Sequence, residues 1–335
     1  MKYKTPTDYK SKLDLIQTEI AIKKIKDNFE ANISKSLNLV RVSAPLFVRN
    51  DSGINDDLNG IERPVTFDIK NIDYDVSVVQ SLAKWKRVAL KRYMITKGHG
   101  IYTDMNAIRR DEDLDNLHSV YVDQWDWEYV IDKDERKLST LKKIVKKIYK
   151  SILKTQEKII KDFPQLTPYF NKDLYFIDSS KLEEKYKGFD AKERENLICK
   201  EYGTVFIYKI GGKLKGGNPP HDLRAPDYDD WKLNGDILVY YPPLECAVEI
   251  SSMGIRVDEK SLKKQLKITK CESRLNMPFH KLLINGELPY TIGGGIGQSR
   301  LCLVLLNKVH IGEVQTSIWD KETIEISKKR KITLL

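Results

Sequence analysis

The sequence predicts an α+β fold, on three observations. Helical periods are long: Ile22, Ile25, Phe29, Ile33 and Leu37 step by three and four through Leu13 to Leu37, and Leu141, Ile144, Ile148, Ile152 and Ile159 keep a second stripe between Lys137 and Lys161. Alternating or apolar runs mark strands at 75–79, 121–128, 235–240 and 245–256. A glycine-rich run, Gly293 to Gly297, leads into the apolar Cys302 to Leu306.

Composition narrows the class. With 41% hydrophobic and 32% charged residues, the 335-residue chain reads as a soluble globular protein able to bury a core, in one large domain or two ordinary ones. No apolar run is long enough to span a membrane, and the basic start Met1 to Thr5 is followed by no apolar segment of a signal peptide. Cys199, Cys246, Cys271 and Cys302 lack zinc or redox spacing and suit free thiols in the cytoplasm. A net charge of +10 invites a nucleic-acid reading, yet much of the excess is the lysines around the second helical stripe. No aromatic residues alternate with them, so they read as a solvated face and no nucleic acid is expected.

Taken in order, the first helix runs into Leu39 to Pro45, a strand closed by a proline and therefore placed at an edge or interface. Asp51 to Gly60 is a polar loop whose Asp51, Asp56 and Asp57 suit either a cation or ammonium site or plain turn chemistry. The strand at 75–79 delivers Gln80 to Lys86, readable as a helix start with Ser81 as cap and lysines facing solvent. Gly98 to Tyr102 is a turn into a short apolar run, and Arg109 to Asp113 is charged without period. In Tyr121 to Glu128, alternation puts Gln124, Asp126 and Glu128 on one face and Trp125 and Trp127 on the other, an unusual load for a purely structural strand.

A charged helical segment follows from Ala191 to Lys200. Gly211 to Gly217 lacks the Walker spacing and reads as a linker or lid. His221 to Trp231 is a carboxylate-rich loop with one arginine, and its interleaved apolar residues predict a partly buried, paired network. Glu249 and Arg256 stand seven apart, on opposite faces of a regular strand, unless a bulge at Gly254 restores a common face. Arg300 occupies the position where a dinucleotide fingerprint needs glycine.

Arg110-Asp111-Glu112-Asp113-Leu114, followed by Gln124-x-Asp126, resembles the second signature motif of class II aminoacyl-tRNA synthetases, the aspartyl and asparaginyl branch above all. Gly295-Ile296-Gly297-Gln298-Ser299-Arg300 is similar to the third motif, and the helix, strand and Pro45 to the first. Gln80 to Lys86 resembles the aspartyl enzymes' Gln-Ser-Pro-Gln-x-x-Lys, and Glu249 to Arg256 their Glu-x-x-Gly-Gly-x-Ile-Arg. Arg224-Ala225-Pro226-Asp227-Tyr228-Asp229-Asp230-Trp231 is very similar to a phrase of the ammonia-dependent asparagine synthetases, which share the fold. Many of those carry an insertion after the tryptophan, where this chain passes quickly to Leu233.

The resemblance implies a single catalytic domain over 1–335, a mostly antiparallel sheet flanked by helices, and a homodimer built on the first motif. It implies side-chain amidation of aspartate by ammonia through an aspartyl adenylate, with ATP and Mg2+. Arg109, or Arg110, would hold the α-phosphate, and Arg109 is preferred because those synthetases commonly have proline at the second position. Arg300 would stack on adenine and reach the γ-phosphate, with Gly295 and Gly297 letting the ring approach. Glu249, helped by Asp236, would hold magnesium. Lys86 and Arg256 would take the carboxylates of aspartate, Gln124 and Asp126 its ammonium, and Ser252 or Ser251 would complete the pocket. Asp56 or Asp229 would attract ammonium and accept its proton. The chain before Pro45 is too short for an anticodon-reading barrel. Two alternatives stand beside this: a truncated aspartyl or asparaginyl-tRNA synthetase paralogue, and a catalytically silent regulatory dimer of the same fold.

Overall fold

A computed structural model describes residues 4, 6, 8–55 and 62–335. Its elements in chain order are α1 (Leu15–Leu37), β1 (Leu39–Arg41), β2 (Phe47–Arg49), β3 (Thr66–Phe67), β4 (Val76–Val78), α2 (Ala83–Arg92), β5 (Gly100–Ile108), β6 (Tyr121–Val130), α3 (Leu138–Asp162), β7 (Tyr175–Asp178), α4 (Ser179–Lys185) and α5 (Ala191–Tyr202). There follow β8 (Thr204–Tyr208), β9 (Asp229–Tyr241), β10 (Cys246–Arg256), α6 (Glu259–Thr269), α7 (Pro278–Ile284), β11 (Thr291–Gly297), α8 (Gln298–Leu305) and α9 (Lys321–Arg330).

The sheet that organises the molecule has the order β1-β5-β6-β11-β10-β9-β8-β7. Its six inner strands are antiparallel to their inner neighbours, and only β1 and β7, at the edges, pair in parallel. One face is covered by helices. The α1 stripe of Ile25, Phe29, Ile33 and Leu37 and the α3 stripe of Leu141, Ile144, Ile148 and Ile152 are fully buried. They share one core with Trp125, Trp127, Met253, Ile255 and Ile296 of the sheet and with α8. Trp125 packs on Phe29 at 4.6 Å between ring centres and donates its indole N–H to Glu30 (3.0 Å). Asp14 and Gln17 form a capping box at the start of α1, and Asn38, at φ 50°, ends it in the left-handed region that asparagine tolerates. The turn at Asn38 feeds β1 directly onto the sheet edge, as the proline-closed strand required.

The other face of the central strands, opposite these helices, carries the polar side chains. The loop expected over 221–231 is shorter than the sequence suggested. Asp229, Asp230 and Trp231 already belong to β9, because Arg256 pairs with Asp229 in the ladder.

Candidate active site

Strand β6 supplies the floor. Trp125 and Trp127 are wholly buried against the helices, whereas Gln124 and Asp126 line an open cavity of about 440 Å³ on the other face. The neighbouring strand β11 sets Gly293 opposite Glu128 and Gly295 opposite Asp126. A Cβ on Gly293 would lie 1.9 Å from Glu128 Oε2, and one on Gly295 would lie 2.3 Å from Gln124 Oε1. The alternate glycines therefore leave room for the acidic side chains of β6 to lie across the next strand, so the glycine run and the acidic face form one structure.

Two cations complete this floor. Lys86, on α2, is 1% exposed; its Nζ is 3.0 Å from Asp126 and 3.9 Å from Glu128, and donates to the Gly294 carbonyl (3.1 Å). Burial lowers its pKa, and Arg256 adds to that effect against the opposing pull of Asp126 and Glu128. Arg256 forks onto Glu128, Nε to Oε1 at 2.9 Å and Nη2 to Oε2 at 2.7 Å, while its Nη1 donates to Asp229 (2.6 Å). Burial works against the guanidinium charge, but Glu128 and Asp229 outweigh it and raise its pKa. The two carboxylates respond in opposite directions. Burial pushes Glu128 up, but Arg256, Lys86 and the Thr291 hydroxyl overcome it and hold it low. At Asp229 burial prevails over Arg256 and Arg224, and the carboxyl is raised. The alternative reading of this stretch, with lysines facing solvent at the start of α2, does not hold: both Lys84 and Lys86 are buried.

Glu249, Ser252 and Arg256 all line the cavity, so β10 does change face, but not at Gly254. Val248 and Ile250 lie in the core, and so do Met253 and Ile255, which places the change of parity between Ile250 and Met253. The ladder slips there: Glu249 pairs with Leu238 and Ser251 with Ile237. At Gly254 the extra residues belong to β9, where pairing jumps from Asn234 to Asp229. Ser252 consequently faces the cavity, whereas Ser251 turns away and donates to the Gly295 carbonyl (2.9 Å).

The cavity's far end is basic. Arg300, in the first turn of α8, donates to the carbonyl oxygens of Glu249 (3.3 Å) and Leu117 (3.4 Å). The turn beneath it is fixed by Asp123, which accepts from the Ser299 backbone N–H (3.0 Å). Arg109 lines the cavity 3.8 Å from Glu112, while Arg110 is exposed and outside it. Gly295 and Gly297 both line the cavity. Asp56 lies outside the described residues.

Asp236 and Glu249 occupy adjacent strands, and Glu249 reinforces the burial that raises the Asp236 carboxyl well above its ordinary value, against Arg224. One oxygen of Asp236 takes the Arg224 guanidinium; the other, Oδ1, is buried without a hydrogen-bond partner. Among the described residues no cluster of three or more metal-ligating side chains exists. Two carboxylates with one unsatisfied oxygen fit magnesium, which completes its shell with water and phosphate oxygens.

Two members of the site carried no assignment in the sequence. Glu128 was visible on the acidic face by alternation alone, but its bond to Arg256 joins strands two apart in the sheet. Arg224 donates to Ser252 Oγ (2.9 Å) as well as to Asp236 and Asp222. The only signal for it was its place in the 224–231 phrase.

This fold and this cavity define a catalytic domain of the class II aminoacyl-tRNA synthetase type. The chain overlays asparaginyl-tRNA synthetase from Pyrococcus horikoshii complexed with asparaginyl-adenylate with a TM-score of 0.63 at 15% identity, covering 89% of this chain and 68% of that one. The corresponding Entamoeba histolytica enzyme gives 0.60 at 15% identity, over 90% of this chain and 66% of that one. Sequence is more specific. The family model described as aspartate-ammonia ligase matches residues 16–331. An aspartate–ammonia ligase of Clostridium perfringens is 59% identical over 331 residues, 98% of both chains, and one of Lactobacillus acidophilus is 54% identical over the full length of both. The chain belongs to the aspartate–ammonia ligase family, ATP-dependent ligases that make asparagine from aspartate and ammonia.

Proposed function

We propose that the reaction runs through β-aspartyl-AMP, with its steps assigned to residues of this cavity, to Asp236 outside its lining, and to Asp56, which lies outside the described residues. The observation that carries the reading is a cavity with paired cations and carboxylates at one end, Lys86–Asp126 and Arg256–Glu128, and two further arginines, Arg109 and Arg300, at the other. Lys86 and Arg256 hold the carboxylates of aspartate, and Asp126 with Gln124 holds its ammonium. Ser252, presented beside Arg224, closes the pocket. The β-carboxylate points toward the α-phosphate of ATP, so aspartate binds turned end for end relative to a substrate activated at its α-carboxylate.

In the first step a β-carboxylate oxygen bonds to the α-phosphorus and the bond to the β-phosphate breaks, releasing pyrophosphate. Arg109 neutralises the α-phosphate, and Arg300 stacks on adenine and reaches the γ-phosphate. Glu249 and Asp236 hold magnesium, which neutralises triphosphate charge when bound. In the second step ammonia attacks the acyl carbon, the bond to AMP breaks, and the surplus proton passes to a carboxylate. Asp229, raised by burial, suits that role, as does Asp56. Exposed apolar side chains at and near the outermost strand, Val40, Leu46 and Phe47, with Ile16 and Ile20 on α1, support a homodimer built on that edge. The four unpaired cysteines support a cytoplasmic enzyme, and among the described residues no helix is long and apolar enough to cross a membrane.

The test is direct. With aspartate, ATP, Mg2+ and ammonium, asparagine and AMP should form in equal amounts; ADP in place of AMP would overturn the adenylate route. With hydroxylamine replacing ammonium, the product should be the β-hydroxamate, and an α-hydroxamate would reverse the orientation proposed for aspartate.

The raised carboxyl of Asp236 adds a pH signature. A metal ligand must be ionised, so magnesium binding should weaken and the magnesium requirement rise as pH falls through this raised value, sooner than an ordinary carboxylate would allow. Magnesium titrations of AMP formation at successive pH values should show this, and Asp236→Asn should raise the magnesium requirement and flatten the profile. An unchanged requirement in that variant would remove Asp236 from the metal site.

A further inference from the structure

Behind the cavity, and outside its lining, lies a second charged cluster centred on Asp227. Asp227 is wholly buried, and a single oxygen, Oδ2, accepts from three donors: Lys84 Nζ (3.2 Å), Arg274 Nη1 (3.1 Å) and His280 Nε2 (2.9 Å). Its burial opposes the charge, yet Lys84, His280 and Arg274 overcome that and hold the carboxyl far below the usual range. The ring of His280 is also fully buried, and the proton facing Asp227 is on Nε2.

The three donors come from different segments, of which α2 also lines the cavity. Lys84 is on α2, two residues before Lys86. Arg274 lies in the 3-10 turn Glu272–Asn276, and His280 on α7. The turn at Gly53 lies on that helix: a Cβ there would sit 2.9 Å from Met277 Cβ and 3.3 Å from His280 Nδ1. Asp227 itself stands midway between the two site contacts of its own segment, Arg224 on Ser252 and Asp229 on Arg256. Gln265 of α6 secures the same segment by donating to the carbonyl oxygens of Pro226 and Asp229 (2.9 Å each), but it reaches neither α2 nor α7. The Asp227 carboxylate joins the 224–229 segment directly to the helix that carries Lys86, through Lys84.

We infer that Asp227 is a positioning residue of the ligase: its ion pairs with Lys84 and Arg274 and its hydrogen bond with His280 set the spacing between Lys86 on one wall of the aspartate pocket and Arg224 and Asp229 on the other. It touches no reactant. Loss of its charge loosens the pocket at the aspartate end while leaving Arg300 and the adenine end in place, since α8 is secured separately through Asp123. The inference rests on the placement of aspartate proposed above.

The experiment compares Asp227→Asn with the double variant Asp227→Asn/Lys84→Met. Asparagine can still accept on one atom, so the single change removes charge before shape, but it leaves buried cations unpaired and lowers stability. The double variant removes one of those cations and should recover much of the denaturation midpoint. In both variants the KM for aspartate should rise and kcat fall, together lowering kcat/KM about 100-fold, as for a misplacement of roughly 1 Å. The KM for ATP should hold within about threefold, because those contacts are untouched. A merely structural role gives a different result: a double variant that folds and turns over like the wild type, or losses in aspartate and ATP parameters alike, overturns the inference. Wild-type protein assayed in parallel separates the two levels. Failure of the wild type to form asparagine and AMP would count against the proposed reaction, whereas an active wild type beside an unimpaired double variant counts against Asp227 alone.

Discussion

Arg256→Met should cost on the order of 3–5 kcal/mol of stability and abolish measurable ligation, because it strands two buried carboxylates at once. Glu128 loses both arms of its fork and Asp229 its 2.6 Å partner. The pH dependence gives the sign. Glu128 is held below its ordinary value, so its contribution is complete above the unfolded carboxylate pKa and disappears as pH falls through the lower native one. Asp229 is raised, so its contribution is present at low pH and is lost as pH rises through the raised value. Without Arg256 both carboxyls move upward, and the deficit of the variant should shrink steadily on acidification. Urea denaturation across pH reads this out. A variant within about 1 kcal/mol of wild type at neutral pH would mean the pair behaves like an exposed one. Arg256→Lys should recover little, since an ammonium cannot fork onto Glu128 while reaching Asp229.

Arg300→Ala should slow adenylate formation by about 10²–10³-fold, the loss expected when a preorganised donor is removed from a developing phosphate charge. ATP should also bind more weakly. The lysine variant should stay close to the alanine one, because the proposed role needs a planar cation that stacks on a ring and forks onto phosphate. Aspartate-dependent exchange of pyrophosphate into ATP isolates this step from the attack of ammonia. Full exchange activity in Arg300→Lys would remove Arg300 from the nucleotide site. The geometry makes the experiment clean: among the described residues the side chain donates to the carbonyl oxygens of Leu117 and Glu249 and to no carboxylate, so none is stranded by its loss.

Much of this molecule is legible along the chain, because the relevant periods are local. The 3.6-residue stripes of α1 and α3 and the two-residue alternation of β6 arise from backbone geometry alone. They announced the buried tryptophans and the acidic face together. The motif around Gly295 to Arg300 was legible as a resemblance whose glycines let a ring approach, whereas the side chains of β6 that cross Gly293 and Gly295 became visible only in the fold. The carboxylate-rich 221–231 stretch was expected to be buried and paired, and Asp227 and Asp229 are.

What only the tertiary structure decided are the matters of register and partner. The face change of β10 was foreseen, but its position was not: glycine permits a bulge at Gly254, whereas the ladder with β9 slips between Glu249 and Ser251. That slip selects Ser252 over Ser251 for the cavity. Likewise, Arg109 and Arg110 differ by one residue in sequence, and only the path of the loop leaving β5 puts one in the cavity and the other in solvent. The lysines of α2 look like surface residues in one dimension. They are buried because Asp126 and Asp227, 40 and 143 residues downstream of their partners Lys86 and Lys84, meet them across the fold. A side chain's chemistry is written in its own position; whether its charge is paired is written in residues far along the chain, and only folding brings the two together.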